Sequence, residues 1–204
     1  MTDFLWTDER KDPAVRDELD RRHPERTKLR PTDVAGLHEA FDVLESIWAP
    51  TIERARLLPP ARLDERVNSE YSFVETFRHL LFAWHAWLAR SVLHVPADFP
   101  EWALPPDLPA DAPSPVKWAP GIGWTATDAA PDLDAVLGVR ADRFARLRDY
   151  LSTATDADLT ALVDGPLWDP DNKVARLYGL RVVLNDEWWH SQYASRDLAV
   201  LAGR

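Results

Sequence analysis

Nine prolines fall between residues 96 and 131, from Pro96 through Pro105, Pro106 and Pro120 to Pro131, with Gly121 and Gly123 among them. Proline removes a backbone donor and clashes with the preceding turn, so no regular element survives that density. A connection this long inside a compact domain either serves function or wraps the outside of the fold. Trp102, Trp118 and Trp124 predict that it is pinned against the outside of the fold near the helix ends.

The chain on either side of this stretch carries helical periodicity. Val34, Leu37, Phe41, Leu44, Ile47 and Trp48 recur at three- and four-residue spacing and predict an amphipathic helix from Thr32. Pro50 predicts a kink, after which Ile52, Ala55 and Leu58 resume the face until Pro59-Pro60. Ser72-Phe73-Val74-Glu75 has the form of a capping box and opens a second helix to about Leu93. Its residues are apolar on nearly every side, as a central helix requires. Beyond the proline stretch, Leu133 to Leu151 predicts a third helix and Thr155 to about Val163 a short turn. Asn172 to Leu201 predicts a fourth helix, on the order of 45 Å long. No strand-like alternation intervenes. The expectation is an all-α fold, a four-helix up-and-down bundle with a long Pro-rich connection between helices 2 and 3. Residues 1–31, polar and broken by Pro13, Pro24 and Pro31, read as an N-terminal arm to a bundle domain spanning 32–204.

The 204 residues suffice for one domain with a real core. A formal net charge of -10 without any basic run removes the electrostatic footing for nucleic acid and for a membrane surface. No stretch approaches about 18 uninterrupted apolar residues, and the start lacks the pattern of a signal peptide. A cytoplasmic protein is expected. There is no cysteine, so disulfides, thiolate ligands and an internal thiol nucleophile are all excluded. Any metal must be held by histidine and carboxylate.

Asp186 and His190 lie four apart in the fourth helix, where side chains share a face with Cβ atoms roughly 5–6 Å apart. A carboxylate and an imidazole so placed can reach one divalent ion through bonds of about 2.0–2.2 Å. Glu187, three before His190, is the reserve ligand. The same spacing also describes a surface ion pair. His79, in the second turn of the second helix, is a candidate third ligand or a core imidazole bonded to a carbonyl or to Glu75. His85, six residues further on, points roughly 240° around the helix from His79 and cannot join. In a bundle, such residues meet only if the two helices face each other.

Tyr71-Ser72-Phe73-Val74-Glu75-Thr76-Phe77-Arg78-His79-Leu80 and the run Leu180 to His190, continued by Tyr193-Ala194-Ser195-Arg196-Asp197-Leu198, resemble the two signature helices of a DinB-like subgroup. The resemblance covers about residues 33–202. It implies a four-helix bundle, commonly a homodimer. It also implies a metal site taking one histidine from the second helix and an H-x-x-x-H or E-x-x-x-H pair from the last. Carried onto this sequence, the metal ligands are His79, Asp186 and His190. Aspartate departs from the usual histidine or glutamate and is one methylene shorter. Related mycothiol-dependent maleylpyruvate isomerases and bacillithiol transferases use that site with a low-molecular-weight thiol.

The resemblance thus implies a divalent-metal-binding protein acting as a thiol S-transferase, isomerase or hydrolase on a small-molecule substrate. Two imidazoles favour zinc or nickel over magnesium as cofactor. Arg-, Ala- and Pro-rich composition, typical of a GC-rich genome, leans towards mycothiol as cosubstrate. Tyr193, near one turn beyond His190, is a catalytic candidate that also reads as a packing residue. The rival expectation is a non-catalytic bundle that binds a small apolar ligand or a partner chain in a Trp-lined groove. Ten Trp in one small domain also favour a homodimer, since aromatic residues are enriched at interfaces.

Overall fold

The computed structural model describes residues 12–95, 102–105, 131–167 and 169–203. Helix α1, Pro13–Arg22, is capped by the Asp12 carboxylate and runs into a 3-10 turn at Pro24–Leu29. Helix α2, Val34–Arg56, starts where Asp33 accepts the Gly36 N–H at 2.7 Å. Pro50 lies inside it and is exposed, so the helix continues to Arg56 with its one missing hydrogen bond on the solvent side.

Helix α3, Phe73–Leu88, opens on the expected capping box. Ser72 Oγ accepts the Glu75 N–H, and Glu75 accepts the Ser72 N–H at 2.9 Å. A π-helical turn, Ala89–Leu93, extends it. Helix α4, Leu133–Thr153, is capped by Asp132, and the short α5, Asp156–Thr160, by a second capping box at Thr155. Strands β1, Leu162–Val163, and β2, Val174–Ala175, pair antiparallel before α6, Arg176–Ala202.

That two-residue hairpin is absent from the sequence expectation, and it moves the start of the last helix from Asn172 to Arg176. Two residues per strand are too few for an alternation to show. Gly165 closes the hairpin loop. A Cβ there would come within 2.3 Å of the Asp169 carbonyl oxygen, so only glycine fits.

The four long helices α2, α3, α4 and α6 enclose one core in which Trp48, Trp84 and Trp188 are fully buried. Cross-helix contacts set their directions. Arg56 meets Asp134 at 2.8 Å while Arg148 reaches back to Asp42, so α2 and α4 are antiparallel. Trp84 packs on Phe144 at 4.9 Å and Arg140 lies over Phe77, so α3 and α4 are parallel. Arg54 contacts Ser195 and Arg181 contacts Pro31, so α2 and α6 are parallel. The directions run up, down, down, up rather than in strict alternation. The chain leaves α3 at one end of the bundle and enters α4 at the other, which is what the long connection makes possible.

The N-terminal segment lies along α6. Leu19 and Leu29 enter the core, and the Arg26 guanidinium, 3% exposed, sits 4.3 Å over the Trp188 ring. All six described tryptophans are buried or half-buried within the single chain. Among the described residues, no helix is long and apolar enough to cross a membrane.

Candidate metal centre

Helices α3 and α6 run antiparallel, with Leu88 beside Gly179 at one end of the pair and Tyr71 beside Leu198 at the other. This pairing sets the second turn of α3 against the middle of α6. There, His79 Nε2 stands 3.8 Å from one oxygen of Asp186, and His190 Nε2 stands 3.6 Å from the other. The two imidazole rings are 4.8 Å apart. Side-chain exposure rises from 9% at His79 and 14% at His190 to 31% at Asp186, so the cluster is open to solvent on the carboxylate side.

The proline-rich connection supplies the support behind His79. Its Nδ1 lies 3.2 Å from the Leu104 carbonyl oxygen. A carbonyl only accepts, so in the neutral ring Nδ1 carries the proton and Nε2 turns its lone pair towards Asp186. Leu104 is itself held, since its N–H donates to the Arg78 carbonyl at 3.0 Å and Arg78 Nε donates to the Trp102 carbonyl at 2.9 Å. Tyr71 completes the support. Its ring stacks on His79 at 5.2 Å and 20°, and its hydroxyl donates to the Pro105 carbonyl at 2.8 Å.

Burial dominates the electrostatics. It raises the Asp186 carboxyl above its ordinary value, a shift the neighbouring His79 partly opposes. It lowers His190 well below the usual imidazole value, and His79 pushes in the same direction. A depressed imidazole takes up its proton less readily in the folded chain than in the unfolded one. His190 therefore contributes stability that is full above about pH 6.5 and drains away as the pH falls below it. In metal-free protein, acidification from about pH 7.5 to about pH 5.5 should lower the melting temperature more in the parent than in His190→Gln. Equal drops in thermal melts would remove His190 as the source.

Of the residues singled out from sequence, His79, Asp186 and His190 come together. Their donor atoms lie within 4.8 Å of one another, the only such histidine and acid group among the described residues. Glu187 does not take the reserve position. One turn-step around α6 from Asp186, it points into the core, 0% exposed, and accepts from Trp84 Nε1 at 2.8 Å and from Arg140 at 2.9 Å. Tyr193 stands edge-on to His190 at 6.0 Å and stacks on Trp189 at 5.9 Å. His85 lies elsewhere, as its angle on the helix requires. Trp102 is half-buried against the core, while Trp118 and Trp124 fall outside the described residues. Neither Tyr71, quoted only within the resembling segment, nor the Leu104 carbonyl was assigned to the site from the sequence. Tyr71 precedes the helix and shares no periodicity with it, and a backbone carbonyl has no residue signature.

Two bonds of about 2.1 Å span donors up to about 4.2 Å apart. Both Asp186 pairs are inside that limit, so the shorter aspartate reaches each imidazole, and a small inward movement of the ligands would close the set. Two neutral imidazoles and a carboxylate suit a borderline divalent ion and leave coordination positions open.

A helical bundle carrying a metal-competent His/Asp/His cluster between its second and last long helices is the class that fold and site define. Residues 43–194 match the family model of the DinB superfamily, and the chain belongs to that superfamily. Comparison with curated proteins and with solved structures returned no match.

Proposed function

We propose that this DinB-superfamily protein is a divalent-metal-dependent enzyme, a transferase or isomerase that joins a low-molecular-weight thiol such as mycothiol to a small electrophile. The observation that carries the reading is the orientation of His79. Its Nδ1 is anchored on the Leu104 carbonyl and its Nε2 faces the Asp186–His190 pair, the placement of a ligand imidazole. Zinc or nickel fits this donor set better than magnesium. Such an ion would act as a Lewis acid and make a thiol or water more acidic and more nucleophilic at neutral pH.

The protein's own groups position and exclude. Tyr71 and the Trp102–Pro105 segment cover His79, while the solvent-open side at Asp186 admits a cosubstrate. A chain without cysteine requires an external sulfur. This chemistry belongs in the cytoplasm, where small thiols are kept reduced. The test is metal analysis after purification without chelator, followed by assay of metal-loaded protein against a panel of electrophiles with and without mycothiol. Near-stoichiometric zinc or nickel with thiol-dependent turnover supports the reading. Metal-free protein that takes up no divalent ion in titration would sink it and favour the non-catalytic bundle. Metal without thiol dependence would redirect it to hydrolysis.

The homodimer is part of the proposal and rests on the family resemblance, since the described tryptophans are already placed inside one chain. Light scattering at micromolar concentration should give twice the 23.2 kDa chain mass. A monomer mass across that range would reject it.

A further inference from the structure

A cavity of about 280 Å³ lies at the end of the bundle where α3 finishes, lined by His85, Trp87, Arg90, His94, Asp164 and Arg176 among others. We propose that this cavity is a second ligand site, which binds a small monocarboxylate with an apolar body. It is separate from the metal centre. From His79 to His85 is about 9 Å along α3, and from Asp186 to Arg176 about 15 Å along α6.

The charge balance favours a single negative group. Two guanidiniums and one carboxylate line the cavity. Arg90 faces Asp164 at 3.3 Å, and Asp164 is also bonded by Lys173 from outside the lining. Arg176 is bonded instead to the carbonyl oxygens of Ser91 and Asp158, which carry no formal charge. Behind it, the Asp158 carboxylate is bonded to the N–H and hydroxyl of Thr155 and also feels the Arg176 charge. With Lys173 and Asp158 just behind the lining included, three cations face two carboxylates, so one positive charge is in excess there in a chain whose net charge is -10. A guanidinium is suited to a planar carboxylate.

Shape and wall chemistry supply the rest. Ala86, Trp87 and Val163 give the cavity an apolar side, and its volume falls just below the roughly 300–1,000 Å³ of drug-sized ligand pockets, which restricts it to a small molecule. Arg90 and His94 are exposed, so the cavity opens to solvent. The helix carries a π turn at Ala89–Leu93, followed by His94 in the left-handed conformation at φ 48°. A π turn widens the helix where it occurs, and such turns concentrate at functional sites. A non-glycine residue at positive φ is held against strain by its surroundings. Here the two place Arg90, Ser91 and His94 on one cavity wall.

Benzoate is the probe, titrated into the full-length protein at low ionic strength by calorimetry and by saturation-transfer NMR, with benzamide as its uncharged isostere. Saturable one-to-one binding of benzoate is expected, with benzamide at least about tenfold weaker for lack of the charge-assisted contact. Arg176→Gln, which removes the guanidinium that has no carboxylate bond, and Arg90→Glu, which reverses the other, should each weaken benzoate, with the melting profile of Arg90→Glu preserved. His79→Ala should leave benzoate binding unchanged. No saturable binding, equal binding of benzamide, benzoate binding unchanged in both arginine variants, or binding lost in His79→Ala would each overturn the proposal.

Discussion

Replacing Glu187 with alanine should destabilise the protein by about 3–5 kcal/mol, the cost of stripping a buried charge of its partner. The Glu187 carboxylate is fully enclosed, with one oxygen on the Trp84 indole N–H and the other on Arg140. Arg140, 8% exposed, has its guanidinium 4.3 Å over the Phe144 ring and flanked by Trp48 and Phe77. Those rings attract the cation but accept no strong hydrogen bond from it, so without Glu187 the charge has no anionic partner there. The indole N–H of Trp84 loses its acceptor as well. Urea denaturation of parent and Glu187→Ala would measure the loss. Pairing Glu187→Leu with Arg140→Met should recover most of it, because removing both charges removes the desolvation cost together with the attraction. A single-variant loss below about 1 kcal/mol would show that water reaches the pair and that the core is not as dry as the burial implies.

His79→Ala and His190→Ala should each reduce bound metal to near zero and lower the melting temperature. An ion bound only by the native state stabilises it by about 2.7 to 4.1 kcal/mol at 100 to 1,000 times its dissociation constant. For a chain of this length that corresponds to roughly 5–15 °C. Truncating a partly buried imidazole has its own packing cost, so the decisive comparison is with chelator. Chelator should reproduce the shift in the parent and add little in either variant. A parent that melts at the same temperature with and without chelator, at saturating zinc or nickel beforehand, would mean that the cluster holds no ion. The tautomer argument predicts which residue is more sensitive to its surroundings. His79 depends on Leu104 for its orientation, whereas His190 shares helix α6 with Asp186.

The sequence determined the helices because helix formation is local. A capping box at Ser72 and Glu75, an Asp at the start of α4, and the three- and four-residue apolar spacing of α2 each act within a few residues. The expectation that the proline stretch is irregular falls mostly on residues outside those described. The His79, Asp186 and His190 set was also legible, though only the i to i+4 pair is local. The third member depended on the resemblance to a DinB-like pattern, since no spacing rule joins two helices a hundred residues apart.

Tertiary structure decided what the carboxylates do. Asp186 and Glu187 are neighbours in sequence, but about 100° of helix turns one to the metal centre and the other into the core against Arg140. No local signal tells which of them faces His79 and which faces Trp84 and Arg140. The same holds for the support behind His79. Leu104 and Pro105 contribute only backbone carbonyls, and their value lies in where the connection brings them rather than in what residues they are. A side chain's chemistry is written in its letter, whereas its partner is set by packing between segments distant in the chain. The candidate ligands could therefore be named from sequence, while their orientation, their supports and the dismissal of Glu187 required the folded bundle.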